Sequence, residues 1–103
     1  MTNAMPDPAA RILFIDAHSL ILNKPAGLAV HPGPRTPDSL EDYLPALRQG
    51  FTRTPQPAHR LDRDTSGCLV LGRHPRALKR LAALFSSGAV SKDGRYLITG
   101  SWD

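Results

Sequence analysis

Cysteine is nearly absent from this sequence, since Cys68 is the single one among 103 residues. One thiol forms neither an internal disulfide nor a CxxC metal or redox motif, which excludes disulfide-rich and zinc-ribbon proteins. Cys68 stands between Gly67 and an apolar run at residues 69–71. We therefore expect a small core residue at this position rather than a reactive thiol.

Long hydrophobic runs are absent as well. No stretch approaches the about 18 consecutive apolar residues of a membrane span. The first ten residues, MTNAMPDPAA, lack the charged start and apolar stretch of a secretory signal. The four histidines show no metal-ligand spacing. The sequence therefore predicts a cytoplasmic, single-domain protein that contacts no membrane and binds no metal.

Positive charge is concentrated in the second half of the chain. Residues 1–50 hold four basic and five acidic side chains, whereas residues 51–103 hold nine basic and four acidic ones. Between Arg53 and Arg80, six of the seven cations are arginine, which makes forked contacts with phosphate. This distribution favours a nucleic-acid partner, and a merely solvated basic surface is the alternative.

The apolar pattern predicts an α+β fold. Residues 10–16 and 19–33 form two apolar runs, which we interpret as strands joined by a turn at residues 16–19. Pro25 and Gly27 interrupt the second strand, so we expect it to bend there or to lie at an edge of the sheet. Residues 39–51 have helical spacing that Pro45 kinks or breaks. A strand at residues 67–74 and a helix that begins at Pro75 follow. We expect a mixed sheet with flanking helices, preceded by a disordered segment at residues 1–10.

A dense polar segment, HRLDRDTSG at residues 59–67, immediately precedes the apolar strand. A carboxylate flanked by arginines stays ionised and oriented, and an ionised Asp can act as a nucleophile or a base. An Asp–Arg network that only ties the loop together explains the same residues equally well. Neither a protein-kinase catalytic loop nor a serine hydrolase fits, because the metal-binding Asn and the GxSxG setting of Ser66 are missing.

Two motifs together resemble the RluA-type pseudouridine synthases. The segment LNKPAGLAVHPG at residues 22–33 is followed about 25 residues later by HRLDRDTSG, in the order and spacing of that family's catalytic domain. The resemblance covers residues 11–92 and implies that Asp62 is the nucleophile, with Asp64 as its variable neighbour. It also implies isomerisation of uridine to pseudouridine in ribosomal or transfer RNA without a cofactor. Attack of the carboxylate at C1′ and attack at C6 both remain open.

The resemblance further implies a set of RNA contacts around Asp62. The target uridine must leave its stack, so one side chain fills the vacated place and others hold the backbone. Arg60 is the candidate for the first role, and Arg53 and Arg63 for the second. The complete set of expected RNA-binding residues is Arg53, His59, Arg60, Arg63, Thr65 and Ser66.

The last eleven residues, DGRYLITGSWD at 93–103, depart from this family and resemble the end of a WD40 repeat. Tyr96 is the candidate for the tyrosine that the family carries in its next strand. The alternative to an active synthase is a truncated, non-catalytic fragment that at most binds RNA. Incomplete cover for the strand GCLVLG and for Leu78, Leu81 and Phe85 also predicts a marginally stable, aggregation-prone chain.

Overall fold

One four-stranded antiparallel sheet organises residues 5–34 and 38–86, the part of the chain described by a computed structural model. The strands stand in the order β1-β2-β4-β3, and a single α-helix follows the last of them. This architecture confirms the predicted α+β class. The elements are β1 (Ile12–Ile15), β2 (Ser19–Lys24), β3 (Gln56–Pro57), β4 (Gly67–Gly72) and α1 (Pro75–Ser86).

The hairpin of β1 and β2 forms where the sequence predicts it. The Asp16 carboxylate closes the turn by accepting hydrogen bonds from the backbone N–H groups of His18 (2.8 Å) and Ser19 (2.7 Å). Partial burial would by itself raise the pKa of Asp16, but these bonds and the Ser19 hydroxyl lower it below its ordinary value. The second strand is shorter than predicted: it ends at Lys24, because Pro25 cannot donate to a sheet ladder, and it lies between β1 and β4 rather than at an edge.

Strand β4 is central and is covered on both faces. Leu69 and Leu71 point into a leucine-rich cluster that includes Leu20 and Leu22 of β2. Val70, which alternation places on the opposite face, is also buried. Helix α1 packs along this strand. Residues 69–72 and Leu81 are buried, so the incomplete cover expected for them is wrong, whereas Leu78 and Phe85 are half-buried. The exposed large apolar side chains are Phe51 and three residues of the edge strand β1, namely Leu13, Phe14 and Ile15.

Gly72 sets how closely α1 approaches the sheet. A Cβ atom at this position would lie 2.6 Å from the Cα atom of Leu78, far inside van der Waals contact. The helix begins at Pro75, as predicted, and His74 accepts the backbone N–H of Ala77 at its Nδ1 atom (3.2 Å). The His74 Nε2 atom therefore carries the proton and donates it to His18 Nδ1 at 2.9 Å, which ties the start of α1 to the β1–β2 turn.

The helical segment around Pro45 is broken into two short 3-10 helices, Leu40–Asp42 and Leu44–Leu47. Ser39 and Asp42 form a capping box at the first of them. Pro45 lacks the N–H that a continuous α-helix needs, so the predicted break is confirmed. Both pieces bury leucines in the core cluster.

Three local expectations differ from the structure. Residues 5–11 have a defined conformation, because Met5 is buried in the core cluster and Pro8–Arg11 forms a 3-10 helix, whereas disorder was expected there. The two-residue strand β3 was not expected, because its sequence shows no apolar alternation and it forms only through its pairing with β4. Cys68 is exposed and not a core residue. Among the described residues, no helix is long and apolar enough to cross a membrane.

Candidate active site

The HRLDRDTSG loop, residues 59–67, lies at the end of the sheet where β4 begins. Leu61 is half-buried and packs against the leucine cluster. Its neighbours Arg60 and Asp62 are both exposed. The apolar anchor between them thus holds the loop on the core while the guanidinium and the carboxylate reach the surface.

A buried lysine from the KPAG segment fixes the backbone of this loop. The Lys24 side chain is fully buried, and its ammonium donates to the carbonyl oxygens of Leu28 (2.7 Å), Pro25 (2.9 Å) and Arg63 (3.2 Å). These three acceptors match the three protons of an ammonium group. Burial lowers the pKa of Lys24, and the negative charge of Asp64 partly opposes that shift.

The residue after Asp62 receives a second hydrogen bond from the same segment. The backbone N–H of Gly27 donates to the Arg63 carbonyl at 2.7 Å. Gly27 adopts a φ of 93°, a left-handed conformation that favours glycine. The loop itself turns sharply, because the N–H of Thr65 donates to the carbonyl of Asp62 at 3.0 Å. Asp62 therefore sits at the first position of a β-turn whose backbone is held by the other motif.

His59 attaches the start of the loop to the rest of the fold. Its Nε2 atom accepts the backbone N–H of Val70 in β4 at 3.0 Å. Its ring stacks on Phe85 of α1, with ring centroids 4.0 Å apart and planes 15° from parallel. These contacts give His59 a role in positioning the loop, which does not test its predicted RNA contact. Arg63, Thr65 and Ser66 are exposed on the loop, and Arg63 pairs with Asp64 at 3.5 Å.

Arg53 is not beside Asp62. It precedes β3, and Gln56 of that strand pairs with Gly72, the last residue of β4. Strand β4 spans about 17 Å at 3.3–3.4 Å per residue, so Arg53 and the loop lie at opposite ends of it. Arg53 lines an open cavity of about 310 Å³ with Gln56, Gly72 and His74. Arg53 thus does not lie around Asp62 as expected, because β3 runs antiparallel to β4. Its predicted contact with RNA stays a prediction.

Two buried cations are features that sequence reasoning missed. Lys24 continues the inward-facing alternation of Leu20 and Leu22 along β2, which was the available signal. Arg73, 6% exposed at the other end of β4, donates to the carbonyls of Asp16 (2.7 Å), Arg48 (2.9 Å) and Gln49 (3.1 Å). No sequence pattern predicts the burial of Arg73, because its acceptors are backbone atoms of residues distant in the chain.

The arrangement has a clear chemical capability. A surface carboxylate stands on a turn of fixed backbone with an arginine on each side in sequence, which suits nucleophilic attack on a phosphate-bearing substrate. The described ranges contain no cluster of three or more His, Cys, Asp or Glu residues that could hold a metal ion. Tyr96 and the whole 93–103 segment lie outside the described residues, so their predicted roles stay predictions.

Comparison with known proteins identifies the family. The sequence profile of the RNA pseudouridylate synthases matches residues 18–100, so the chain belongs to that family. The matched range reaches into the segment that was expected to depart from the family after residue 92. The likeness of that segment to a WD40 repeat stays a prediction.

Known relatives and solved structures are similar to this chain. An RNA pseudouridine synthase of Zymomonas mobilis is 53% identical over 88 residues, which are 85% of this chain and 40% of that protein. The ribosomal large subunit pseudouridine synthase C of Escherichia coli is 41% identical over 91 residues, 88% of this chain and 28% of that protein. The human RNA pseudouridylate synthase domain containing 4 superimposes with a TM-score of 0.70 at 29% identity, covering 81% of this chain and 32% of that one. The chain thus spans less than half the length of these relatives.

Proposed function

We propose that this chain carries the catalytic aspartate of an RNA pseudouridine synthase, with Asp62 as the nucleophile. The observation that carries the proposal is the joint between the two family motifs. Lys24 and Gly27 of the first motif both donate to the Arg63 carbonyl, directly after Asp62 in the second. Burying the Lys24 ammonium for these bonds costs free energy, and a loop whose position did not matter would not require it. It presents the carboxylate at a defined place on the surface.

The reaction needs a positioned carboxylate and no redox change. The bond between N1 of uracil and C1′ of ribose breaks, the base rotates, and a new bond joins C5 to C1′. The hydrogen on C5 leaves to solvent, and N1 ends with a proton, so atoms and electrons balance without a cofactor. Asp62 serves as the nucleophile at C1′ or at C6, two routes with the same product.

RNA is the substrate class, and its uridine must leave the stack to reach Asp62. In this proposal Arg60, which is exposed beside Asp62, fills the vacated position, and the exposed Arg63, Thr65 and Ser66 contact the backbone. Relatives from Escherichia coli and Vibrio cholerae are named for the ribosomal large subunit. Large-subunit ribosomal RNA is therefore the first substrate to test and transfer RNA the second, in a protein that works in the cytoplasm.

Release of tritium from RNA containing 5-tritiated uridine tests the reaction directly. We expect the chain to release tritium and Asp62→Asn to abolish release, because an amide is not a nucleophile of comparable strength. Asp64→Asn is the matched control, since it removes an equally exposed carboxylate two residues away. It should lose at most a few-fold in rate. Equal losses in both variants, or release by Asp62→Asn, would contradict the assignment of Asp62.

A non-catalytic RNA-binding chain is the alternative, favoured by the surplus of cations in residues 51–103. It predicts RNA binding that weakens as salt rises, without release of tritium from any uridine-containing RNA. Under that outcome Asp62→Asn would bind RNA like the parent chain and the catalytic proposal would be wrong.

A further inference from the structure

We propose that the outer face of α1 is a second RNA-backbone contact, separate from the turn that carries Asp62. The face comprises Arg76 and Lys79 of α1 together with Arg53, and we call it the α1 basic face. This inference rests on the proposed function, because it names a further surface for the same RNA partner.

The position of α1 separates this face from the catalytic loop. Leu78, in the first half of the helix, abuts Gly72 at the end of β4. Phe85, near the helix end, stacks on His59 at the start of the loop. The helix therefore runs back along β4, with its basic first half at the far end of the strand. The distance to the loop is about 17 Å, the length of β4.

The charge of α1 is not explained by folding. The helix PRALKRLAALFS carries three cations and no carboxylate. Ala77 and Leu81 are buried, whereas Arg76 and Lys79 are exposed on the opposite side. Arg76, near the helix start, faces the positive end of the helix dipole, and Arg76 and Lys79 are like charges at i, i+3 spacing. Both arrangements cost stability, and no carboxylate among the described residues forms an ion pair with either side chain.

Arg53 extends the same positive surface from another part of the chain. It lines the open cavity at the start of α1 with His74, Pro75 and Leu78. From residue 65 to residue 86 the sequence contains no Asp or Glu, so nothing acidic in that stretch repels a polyanion. A row of exposed cations without a carboxylate matches the repeating phosphates of RNA, and contacts to phosphate position a substrate without reading its sequence. An RNA strand whose uridine occupies the catalytic loop can span the distance to this face with a few nucleotides.

Salt-dependent binding tests the proposal. The full-length chain carrying Asp62→Asn binds a fluorescein-labelled, uridine-containing RNA of about 20 nucleotides without turnover, so fluorescence anisotropy reports affinity alone. The slope of log K against log salt is negative, and we expect the added changes Arg53→Gln, Arg76→Gln and Lys79→Gln each to reduce its magnitude by about 0.7, the value for one single-strand phosphate contact. The triple variant should reduce the magnitude by about 2 and weaken binding at least tenfold at low salt.

Arg11→Gln is the control for loss of one positive charge. Arg11 ends the 3-10 helix Pro8–Arg11. The main contacts of that helix are with β2 and with the 3-10 helix Leu44–Leu47. The slope of the Arg11→Gln variant should remain that of the parent. If the α1 variants keep the parent slope, or change no more than Arg11→Gln, the proposal is wrong. The result is independent of tritium release, so failure of the catalytic assignment and failure of this contact give different outcomes.

Discussion

The two ends of strand β4 each have a buried cation that donates to backbone carbonyls, but they differ in the exposed charges around it. At the first end, buried Lys24 donates to backbone carbonyls and joins the KPAG segment to the HRLDRDTSG loop. At the other end, the nearly buried Arg73 donates to backbone carbonyls and joins the β1–β2 turn to the segment after the 3-10 helix Leu44–Leu47. In the described residues neither cation forms an ion pair with a carboxylate. Both serve as multiple donors that fix loop backbone.

The difference lies in what surrounds each cation. The Lys24 end carries an exposed carboxylate, Asp62, on the turn that the lysine holds. The Arg73 end carries exposed cations, including Arg53 and Arg76, and its carboxylate, Asp16, is half-buried and accepts the hydrogen bonds of the β1–β2 turn. Chemistry requires a group held at one place, whereas binding of a polyanion requires only positive charge at the surface. The difference is the one that the two proposals require, with reaction at one end and substrate holding at the other.

Replacing Lys24 should have the largest effect. Lys24→Met leaves buried carbonyls without their donor, at about 1–3 kcal/mol for each unsatisfied group, so we expect a loss of about 3 kcal/mol or more in the free energy of unfolding. That is a large part of the about 5–15 kcal/mol of a typical domain. Urea unfolding measures the loss. Tritium release per folded molecule should fall as well, because the turn that carries Asp62 loses its support, and unchanged release would contradict the assigned role.

Replacing Arg73 sharpens the contrast. Arg73→Met removes hydrogen bonds to three carbonyls and the contact of its guanidinium with the Phe51 ring, 3.7 Å from the centroid. We expect a loss of about 2–4 kcal/mol in the free energy of unfolding by urea denaturation. The rate of tritium release per folded molecule should stay close to that of the parent, since the HRLDRDTSG loop lies at the other end of β4. An equal loss of rate in the Arg73 and Lys24 variants would remove the distinction between the two ends.

Gly72→Ala tests whether α1 is held against β4 at a fixed distance. The added methyl group would lie 2.6 Å from the Cα atom of Leu78, so the helix must shift outward. Overpacking of this kind costs about 1–3 kcal/mol, measurable as a lower midpoint of thermal unfolding. Cys68→Ala, at an exposed position of the same strand, should change stability by less than about 0.5 kcal/mol. A neutral Gly72→Ala would show that α1 moves freely on the sheet.

Asp16→Asn should have the smallest effect and a pH dependence of known sign. The pKa of Asp16 is lowered in the folded chain, so its ionised form stabilises the fold above the unfolded-state pKa. This contribution, about 1 kcal/mol for charged over neutral acceptors, is lost as the pH falls below about 4 through the lowered pKa. Urea unfolding at several pH values should therefore show parent and variant converging in acid. A constant difference across that range would contradict the assignment.

Much of the fold was predictable because its signals are local. The β1–β2 hairpin, the break at Pro45 and the start of α1 at Pro75 all depend on neighbouring residues. The two-residue strand β3 was not predictable, since it exists only through its pairing with β4. Cys68 was placed in the core because its sequence neighbours are apolar, yet the sheet leaves this position exposed.

The sequence by itself determined the α+β class, the family motifs and the candidate nucleophile Asp62, because motif residues at fixed spacing identify chemistry without coordinates. Tertiary structure alone decided how the parts are arranged. It joined Lys24 and Gly27 to the Arg63 carbonyl, which lies 39 and 36 positions further along the chain. It also separated Arg53 from Asp62, although the two are only nine positions apart in the sequence. The reason is that antiparallel pairing of β3 with β4 sends Arg53 to the far end of the strand, while hydrogen bonds between backbone and side chain act on whatever the sheet brings within about 3 Å.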